Sequence, residues 1–443
     1  MKLSEKLVVQ LWQELLRRKR QLRAVNGAVI DVVSGGEEND DCGPDFNHAV
    51  IFVNGNGPVT GDVEVHVQSS DWRAHGHQRD PSYNKVVLHV VLRHDTTLAT
   101  VLENSIAVPV ISVAECLGNA LDEACRSVKM RKLAEKPCQQ AVLHRDTGRL
   151  MKILDNAGEA RFIAKAADFA RQMQQESGEE VLYRGICDAL GYMRNRASFR
   201  RLSQYRSVAF LRSMSGETHA AMRLQAVLLG TAGLLPSQRK RFACEKSRFL
   251  ANMESIWRET GLVQEMEEEE WHFFKVRPGN YPPRRIVALS YLMTRYHRSG
   301  MLEHIPRVIC TTPDGKTVED AFIVPAHSYW KDHYDCGMTG ALPTLLGRAR
   351  AAEIVQNIIL PFFLAYGARE RYPTLPQKVR TLFHIYPRGE DNRITRLMVQ
   401  RICSKETALL NTARQQGLIH LYHNYCVGER CRGCPVITGE RIT

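Results

Sequence analysis

The chain has 443 residues, of which 44% are hydrophobic and 24% charged. These proportions are typical of a soluble globular protein, and the length suits two or three domains. No apolar run reaches the roughly eighteen residues that a membrane span needs, so the sequence predicts no membrane partner. The N-terminal segment is amphipathic, contains Glu5 and Glu14 and lacks a cleavage site, so it predicts a first helix and a cytoplasmic protein.

The basic excess of the chain favours a polyanionic partner, and nucleic acid is the simplest one. The formal net charge is +12 and the pI is about 9.2. This excess is modest for the length, and scattered solvated basic faces explain it equally well. No segment matches the phosphate-binding loop GxxxxGKS or GxxxxGKT, so the sequence argues against an intrinsic ATPase.

Hydrophobic periodicity predicts three regions along the chain. Residues 1–110 have a helix, hairpin, helix, strand order, which predicts an α/β domain with a mixed sheet flanked by helices. Residues 111–400 have helical periodicity and predict a mainly α-helical domain. Residues 401–443 are rich in cysteine and predict a metal-binding segment. The predicted strands of the first region lie near 24–33, 47–54, 61–68 and 86–93.

The stretch from Gly43 to His66 has the most specific chemistry. Asp45 precedes a predicted strand, and Glu64 and His66 lie two residues apart on the next strand, after an Asn-Gly turn. Because strand side chains alternate, Glu64 and His66 point to one face and the intervening valines to the other. Two carboxylates facing each other on neighbouring strands predict a hard-cation site, and a solvated amphipathic hairpin is the alternative.

Further potential ligands follow this strand directly. Asp71 lies at a predicted helix start, and His75 and His77 flank a glycine in a predicted loop. These three residues are predicted to complete or support the cation site. His89 lies inside the next valine-rich strand, where a site role and a core histidine bonded to the backbone are equally plausible.

The arrangement resembles that of the restriction-endonuclease-like, or PD-(D/E)xK, nucleases. That superfamily holds a metal ion with Pro-Asp followed by Asp/Glu-x-Lys. The resemblance implies that Asp45 and Glu64 bind Mg²⁺ or Mn²⁺ for phosphodiester cleavage. His66 stands in the place of the lysine, where a histidine is either a base or a third ligand.

Most of the chain also resembles an uncharacterised bacterial family, the domain-of-unknown-function family numbered 2851. This resemblance implies no activity. The matching motifs are GPDF from Gly43, GDVEVH from Gly61, SSDW from Ser69, HGH from His75, LHVV from Leu88, RPGNYPPRRI from Arg277, GRARAAEI from Gly347 and the closing cysteine-rich segment.

A proline-rich segment between predicted helices contains Arg277, Arg284 and Arg285. A rigid turn that presents these arginines predicts contacts with nucleic-acid phosphates, and a structural linker is the alternative.

Three of the twelve cysteines, Cys426, Cys431 and Cys434, lie close together near the end of the sequence. Thiols at such short spacings predict one metal site with a structural role. Cys403 is the first choice for a fourth ligand and His423 the second. Zn²⁺ suits a small structural clamp, and a 4Fe–4S cluster, which some restriction-endonuclease-like nucleases hold with three close cysteines and one distant, suits it equally.

Three hypotheses for function follow from these patterns. The first is a metal-dependent nuclease acting on DNA or RNA, whose arginines hold the strand. The second is a non-catalytic nucleic-acid-binding or scaffold protein that keeps the nuclease-like fold, which would suit the missing lysine. The third is a metallohydrolase of small phosphorylated substrates that uses the His/Asp cluster.

Overall fold

The chain forms two compact units, Met1–Ala134 and Glu135–Thr443. The first unit extends past the domain boundary predicted at residue 110. The strand that begins there joins the sheet of this unit, and the two helices that follow pack into its core. The cysteine-rich tail belongs to the second unit. The computed structural model describes residues 4–39, 43–133, 137–138, 146–216, 219–240, 247–311, 314–370, 372–403 and 409–439.

The first unit is a mixed sheet with helices, as predicted. Its strand order is β1-β2-β4-β5-β6-β7, with β3 paired to β4. Pairing is antiparallel as far as β5 and parallel for β5–β6 and β6–β7. The strands are β1 (Gln21–Arg23), β2 (Val29–Ser34), β3 (Glu37–Glu38), β4 (Phe46–Val53), β5 (Val59–Gln68), β6 (Val86–Arg93) and β7 (Val110–Ser112). The helices are α1 (Glu5–Arg18), α2 (Asp71–Ala74), α3 (Val113–Leu117) and α4 (Leu121–Leu133).

The hairpin of β4 and β5 forms at the predicted Asn-Gly turn. Asn54 and Gly55 both have positive φ, 52° and 71°, as the central residues of a type I′ hairpin turn require. The turn fixes the register, in which Ile51 lies opposite Val59 and Ala49 opposite Gly61. Alternation along β5 then decides which side chains enter the core.

One face of the sheet is covered by α1, α3 and α4. Val63 and Val65 of β5 fill this apolar core. Because side chains alternate along a strand, Glu64 and His66 must point to the opposite face. The same core contains Leu11, Trp12 and Leu15 of α1, Leu88 and Val90 of β6, and Val113 and Leu117 of α3.

The second unit is mainly helical, as predicted, with short two-stranded sheets. Its helices are α5 (Thr147–Gln172), α6 (Gly178–Leu190), α7 (Tyr192–Tyr205), α8 (Val208–Ser213), α9 (Ala220–Thr231), α10 (Arg248–Glu259), α11 (Pro282–Arg295), α12 (Met301–Thr311), α13 (Gly315–Asp320), α14 (Arg348–Ile354), α15 (Leu360–Arg369), α16 (Leu375–Ile385), α17 (Arg393–Ile402), α18 (Thr412–Leu421) and α19 (Pro435–Thr438). Its strands are β8 (Val324–Pro325), β9 (His333–Asp335), β10 (Met338–Thr339) and β11 (Thr344–Leu346).

Two π-helical turns interrupt or extend these helices, at Val355–Ile359 between α14 and α15 and at Tyr422–Cys426 after α18. The continuous segment Arg348–Arg369 is long and apolar enough to cross a membrane by length and composition. Within the second unit, 61% of its apolar window is buried, so core packing accounts for its composition.

Two glycines let α5 and α18 approach closely. A Cβ atom on Gly158 would meet the backbone carbonyl of Ala413, and one on Gly417 would meet that of Leu154. Because backbone atoms cannot move aside as a flexible side chain can, only glycine fits at either position. This contact fixes α18 against α5.

Gly61, at the start of the GDVEVH motif, is expected to be required for packing beside β6. A Cβ atom there would clash with the Lys85 carbonyl and the Val87 side chain. Gly61→Ala should lower the free energy of unfolding by about 1–3 kcal/mol in urea denaturation, as overpacking does. Gly57→Ala is the matched control, because no atom lies within 4 Å of a Cβ at that position. Equal stability of the two variants would contradict this account.

Candidate metal centre

Strand β5 presents Glu64 and His66 on the sheet face opposite the α1 core. Both are nonetheless buried, with 6% and 1% of their surface exposed. Their cover is a small apolar cluster that contains Trp72 of α2 and Tyr83. Trp72 stands edge-on to the His66 ring, with centroids 6.5 Å apart. The predicted face is therefore an enclosed polar site, not a solvated surface.

Four side chains converge in this site. The potential ligand atoms of His66, His75 and His77 all lie within 4.8 Å of one another. His66 Nε2 lies 3.1 Å from His75 Nδ1. Glu64 Oε1 lies 3.4 Å from the Nε2 atoms of both His66 and His77.

These distances match those between neighbouring ligand atoms around one metal ion. Bonds of about 2.1 Å from one ion to nitrogen or oxygen place adjacent ligand atoms about 3.0–3.4 Å apart in octahedral or tetrahedral geometry. The three observed separations, 3.1, 3.4 and 3.4 Å, lie in this range. In addition, His77 Nε2 is buried without a hydrogen-bond partner. The spacing of His66, His75 and His77, with Glu64 in contact with two of them, thus suits a single divalent ion.

A hydrogen-bonded chain orients the His66 ring. His66 Nδ1 lies 3.0 Å from His89 Nε2, and His89 Nδ1 lies 2.9 Å from Thr100 Oγ1. If each histidine donates from Nδ1, the lone pair of His66 Nε2 points into the site. Such second partners are typical of metal-binding histidines. The sequence left the role of His89 open and did not reveal Thr100, because no local pattern links a threonine to a strand eleven residues earlier.

Asp45 lies beside Glu64 across the hairpin. Its Oδ2 accepts a hydrogen bond of 2.9 Å from the Val65 N–H, and its own N–H donates to Glu64 Oε2 at 3.1 Å. One oxygen of Glu64 is therefore held by the backbone, while the other points to the histidines. The structure brings the two predicted carboxylates together, with Glu64 in direct contact with the histidine group.

Burial has the largest effect on the charges of this site. It raises the pKa of Glu64 to about 9, with a further contribution from the Asp45 charge, and it raises the pKa of Asp45 to about 6. Burial also lowers the pKa of His66 to about 2 and that of His77 to about 4. His66 and His77 are therefore neutral at pH 7, as metal ligands must be. A bound cation would favour the ionised form of Glu64.

Two other acidic residues of this region have backbone partners. Asp71 Oδ2 accepts a hydrogen bond from the Gln68 N–H at 2.9 Å, which fixes the turn between β5 and α2. Asp62 Oδ1 accepts one from the His48 N–H at 3.3 Å. Asp71 thus supports the loop that positions His75 and His77.

The structure excludes two of the predicted phosphate contacts. Arg284 is fully buried and donates to the carbonyl oxygens of Trp330, His333, Leu342 and Thr344. Arg285, also buried, donates to Leu345 O and Asn280 Oδ1. These arginines fix the chain within the second unit and are closed to a nucleic-acid strand. Only Arg277 of the three is exposed.

The predicted cysteine site lies in one apolar cluster of the second unit. Cys403 and Cys434 belong to it, and Cys138 and Cys426 pack against the same cluster. Burial raises the pKa of Cys434 to about 11, and the nearby Cys426 and Cys138 add to this effect. Burial, Cys426 and Cys431 likewise raise the pKa of Cys138. Cys138 is a ligand candidate that the sequence did not reveal, because it lies nearly three hundred residues before its neighbours.

The sulfur atoms are more widely spaced than the atoms of the histidine group. Across the described ranges, no three cysteine sulfurs lie within 4.8 Å of one another. His423, the second choice for a fourth ligand, is exposed on the π-helical turn.

A family model described as "Protein of unknown function (DUF2851)" matches residues 5–393 of the chain. No curated protein and no solved structure matches it.

The histidine group is expected to bind one Mn²⁺ per chain, as measured by electron paramagnetic resonance titration. Thiolate sites do not compete in this assay, because Mn²⁺ prefers oxygen and nitrogen ligands. His77→Gln should remove a ligand and abolish binding. Thr100→Val should weaken it by less than the roughly 10–100-fold that follows the loss of a ligand's direct partner, because Thr100 contacts His66 only through His89.

The exposed His48 is the matched control for this titration. His48→Asn removes a histidine of the same unit and keeps a residue that tolerates the positive φ of this position, 59°. Binding lost in His48→Asn, or retained in His77→Gln, would count against the site.

Proposed function

The chain belongs to the DUF2851 family, and from the geometry of its metal centre we propose that it is a metal-dependent nuclease that hydrolyses phosphodiester bonds in DNA or RNA. The observation that carries the proposal is the convergence of Glu64 Oε1 on the Nε2 atoms of His66 and His77 at 3.4 Å. Asp45 lies beside this group at the start of the adjoining strand.

The topology of the first unit supports a restriction-endonuclease-like arrangement. Asp45 directly precedes one strand of an antiparallel hairpin and Glu64 lies on the other, which resembles the Pro-Asp and Asp/Glu-x-Lys layout. A short helix and a parallel strand, α2 and β6, follow this hairpin. The long helix α1 packs on the opposite face of the sheet.

The ligands favour a transition metal over Mg²⁺. Mg²⁺ binds mainly oxygen ligands and water, whereas imidazole suits manganese, iron and zinc. Because Glu64 adds carboxylate oxygen to these imidazoles, Mn²⁺ suits the mixed set best. Mg²⁺ alone is expected to support less activity than Mn²⁺.

The protein groups have distinct roles in this proposal. A metal ion held there supplies a bound water of lowered pKa and stabilises charge on the scissile phosphate. Glu64, His66 and His77 hold the ion, and Asp45 fixes the orientation of Glu64. His66 is not free to act as a base, because both of its ring nitrogens already have neighbours. The exposed His75 is the group of this set that a substrate reaches first.

A non-catalytic nucleic-acid-binding or scaffold protein is the second candidate function. The observation that favours it is the same engagement of His66, which stands where the nuclease pattern has a free lysine. It predicts nucleic-acid binding that weakens with salt and is not accompanied by cleavage.

Cleavage of end-labelled single- and double-stranded DNA and RNA with Mn²⁺ tests the nuclease proposal. Glu64→Gln should reduce the rate by at least about a hundredfold, because it removes the charged ligand shared by two histidines. His48→Asn should cleave like the wild type. Equal rates in Glu64→Gln and wild type would indicate a contaminant or another site. Salt-sensitive binding without cleavage by metal-loaded protein would favour the second candidate.

For the cysteine cluster we propose a structural 4Fe–4S cluster, with Zn²⁺ as the alternative. A tetrahedral zinc ion with bonds of about 2.3 Å holds its sulfurs about 3.8 Å apart. The wider spacing of Cys426, Cys431 and Cys434 suits a polynuclear cluster better. Cys138 and Cys403 compete for the fourth position, since both lie in the same apolar cluster.

Metal analysis and visible absorption of anaerobically purified protein test the cysteine proposal. We expect iron, with visible absorption that is lost in Cys434→Ser and in either Cys138→Ser or Cys403→Ser, whichever supplies the fourth ligand. Cys310→Ser is the control, because Cys310 lies in α12, outside this cluster. Zinc without iron would contradict the 4Fe–4S cluster and support a single zinc ion. Protein that contains neither metal would contradict the metal site altogether.

A further inference from the structure

A basic cavity lies in the second unit, between α5, α6, α7 and the π-helical turn Val355–Ile359. Its volume is about 500 Å³, within the range of small-molecule sites. The cationic side chains that line it are Arg161, Lys165, Arg184, Arg196 and Arg200. Asp168 and Asp188 are its carboxylates, so the lining has an excess of three positive charges.

The carboxylates neutralise only the outer cations of this basic cavity. Asp188 pairs with Arg200 and, at 4.0 Å, with Arg196. Arg184 pairs with Glu176 at 2.6 Å. Asp168 pairs with Arg171, which does not line the cavity.

The two inner cations have amide partners instead. Lys165 Nζ donates to Asn357 Oδ1 at 2.7 Å and to Gln416 Oε1 at 3.4 Å. Arg161 Nε donates to Gln416 Oε1 at 2.9 Å. Among the residues that the structure describes, no carboxylate forms an ion pair with either cation. An amide oxygen satisfies a donor but does not cancel its charge, so the charge of Arg161, and that of Lys165 when it is protonated, remains available to an anion.

The protein holds these cations in place. Asn357 lies on the π-helical turn, and its Nδ2 donates to the Glu353 carbonyl at 3.0 Å, which directs its Oδ1 toward Lys165. Gln416 Nε2 donates to the same Oδ1 at 3.3 Å. Burial, followed by the charges of Arg161 and Arg196, lowers the pKa of Lys165 to about 7. Lys165 is partly accessible from the cavity, but the protein around it shields its ammonium group from water and so disfavours the charged form.

We propose that the basic cavity binds a small molecule with two or more linked phosphate groups, whose oxygens contact Arg161 and Lys165. Linked phosphates match the excess of positive charge, and the arginine fork and lysine ammonium are the usual phosphate partners. A cavity of this volume encloses a small molecule, whereas a nucleic-acid strand needs a groove that continues past it. The proposal does not depend on the metal centre, which lies in the other unit.

Isothermal titration calorimetry of the full chain with sodium tripolyphosphate tests this proposal. Lys165→Met should weaken binding by about tenfold or more, because it removes a charge-assisted hydrogen bond. This variant should fold, since it removes a buried charge that neighbouring arginines repel. Arg161→Leu, on the same face of α5, should weaken binding to a similar extent.

Lys152→Met is the matched control, because it removes the same charge from an exposed position of α5 outside the cavity. It should bind tripolyphosphate like the wild type. Equal weakening in Lys152→Met and Lys165→Met would mean general charge attraction and would overturn the site. So would the absence of binding by the wild type, or displacement of tripolyphosphate by single-stranded DNA at lower concentration.

Discussion

The candidate metal centre depends on the pairing of β5, which is antiparallel to β4 on one side and parallel to β6 on the other. The antiparallel partner brings Asp45 to Glu64, and the parallel partner places His89 directly opposite Glu64. Because side chains alternate along a strand, a shift of one residue would turn Glu64 and His66 into the apolar core and expose the valines. The turn at Asn54 and the close packing of Gly61 against β6 both oppose such a shift.

The buried polar group has a cost that a metal ion would offset. Glu64, His66 and His77 lie buried beside Trp72 and Tyr83, where water cannot solvate them freely. A buried carboxyl without a cation is held in its neutral form, and a buried imidazole such as His77 lacks a partner. An ion that binds only the folded chain would stabilise it by mass action.

Local patterns were enough to predict the β5 alternation, the hairpin turn and the convergence of Asp45 with Glu64, because neighbours in sequence determine all three. The α/β class of the first region and the helical class of the second also followed from periodicity. The roles of Thr100 and Cys138 did not, since each depends on a residue brought near only by the complete fold. The burial of Arg284 and Arg285 was not predicted for the same reason. The carbonyl oxygens that accept their hydrogen bonds lie about fifty residues away along the chain.

The buried cations of the second unit differ in their hydrogen-bond and ion-pair partners. From this difference we infer which of them stabilise the fold and which can bind a ligand. Arg284 is fully buried, and both of its terminal nitrogens donate to backbone carbonyl oxygens of the same unit. Arg239 is paired with Glu268 and Asp335, so its charge is cancelled. Lys165 has neither arrangement. Its two hydrogen bonds are to amide oxygens, no carboxylate among the described residues pairs with it, and it lines open space. A protein keeps such a costly charge most simply where an anion supplies the missing compensation.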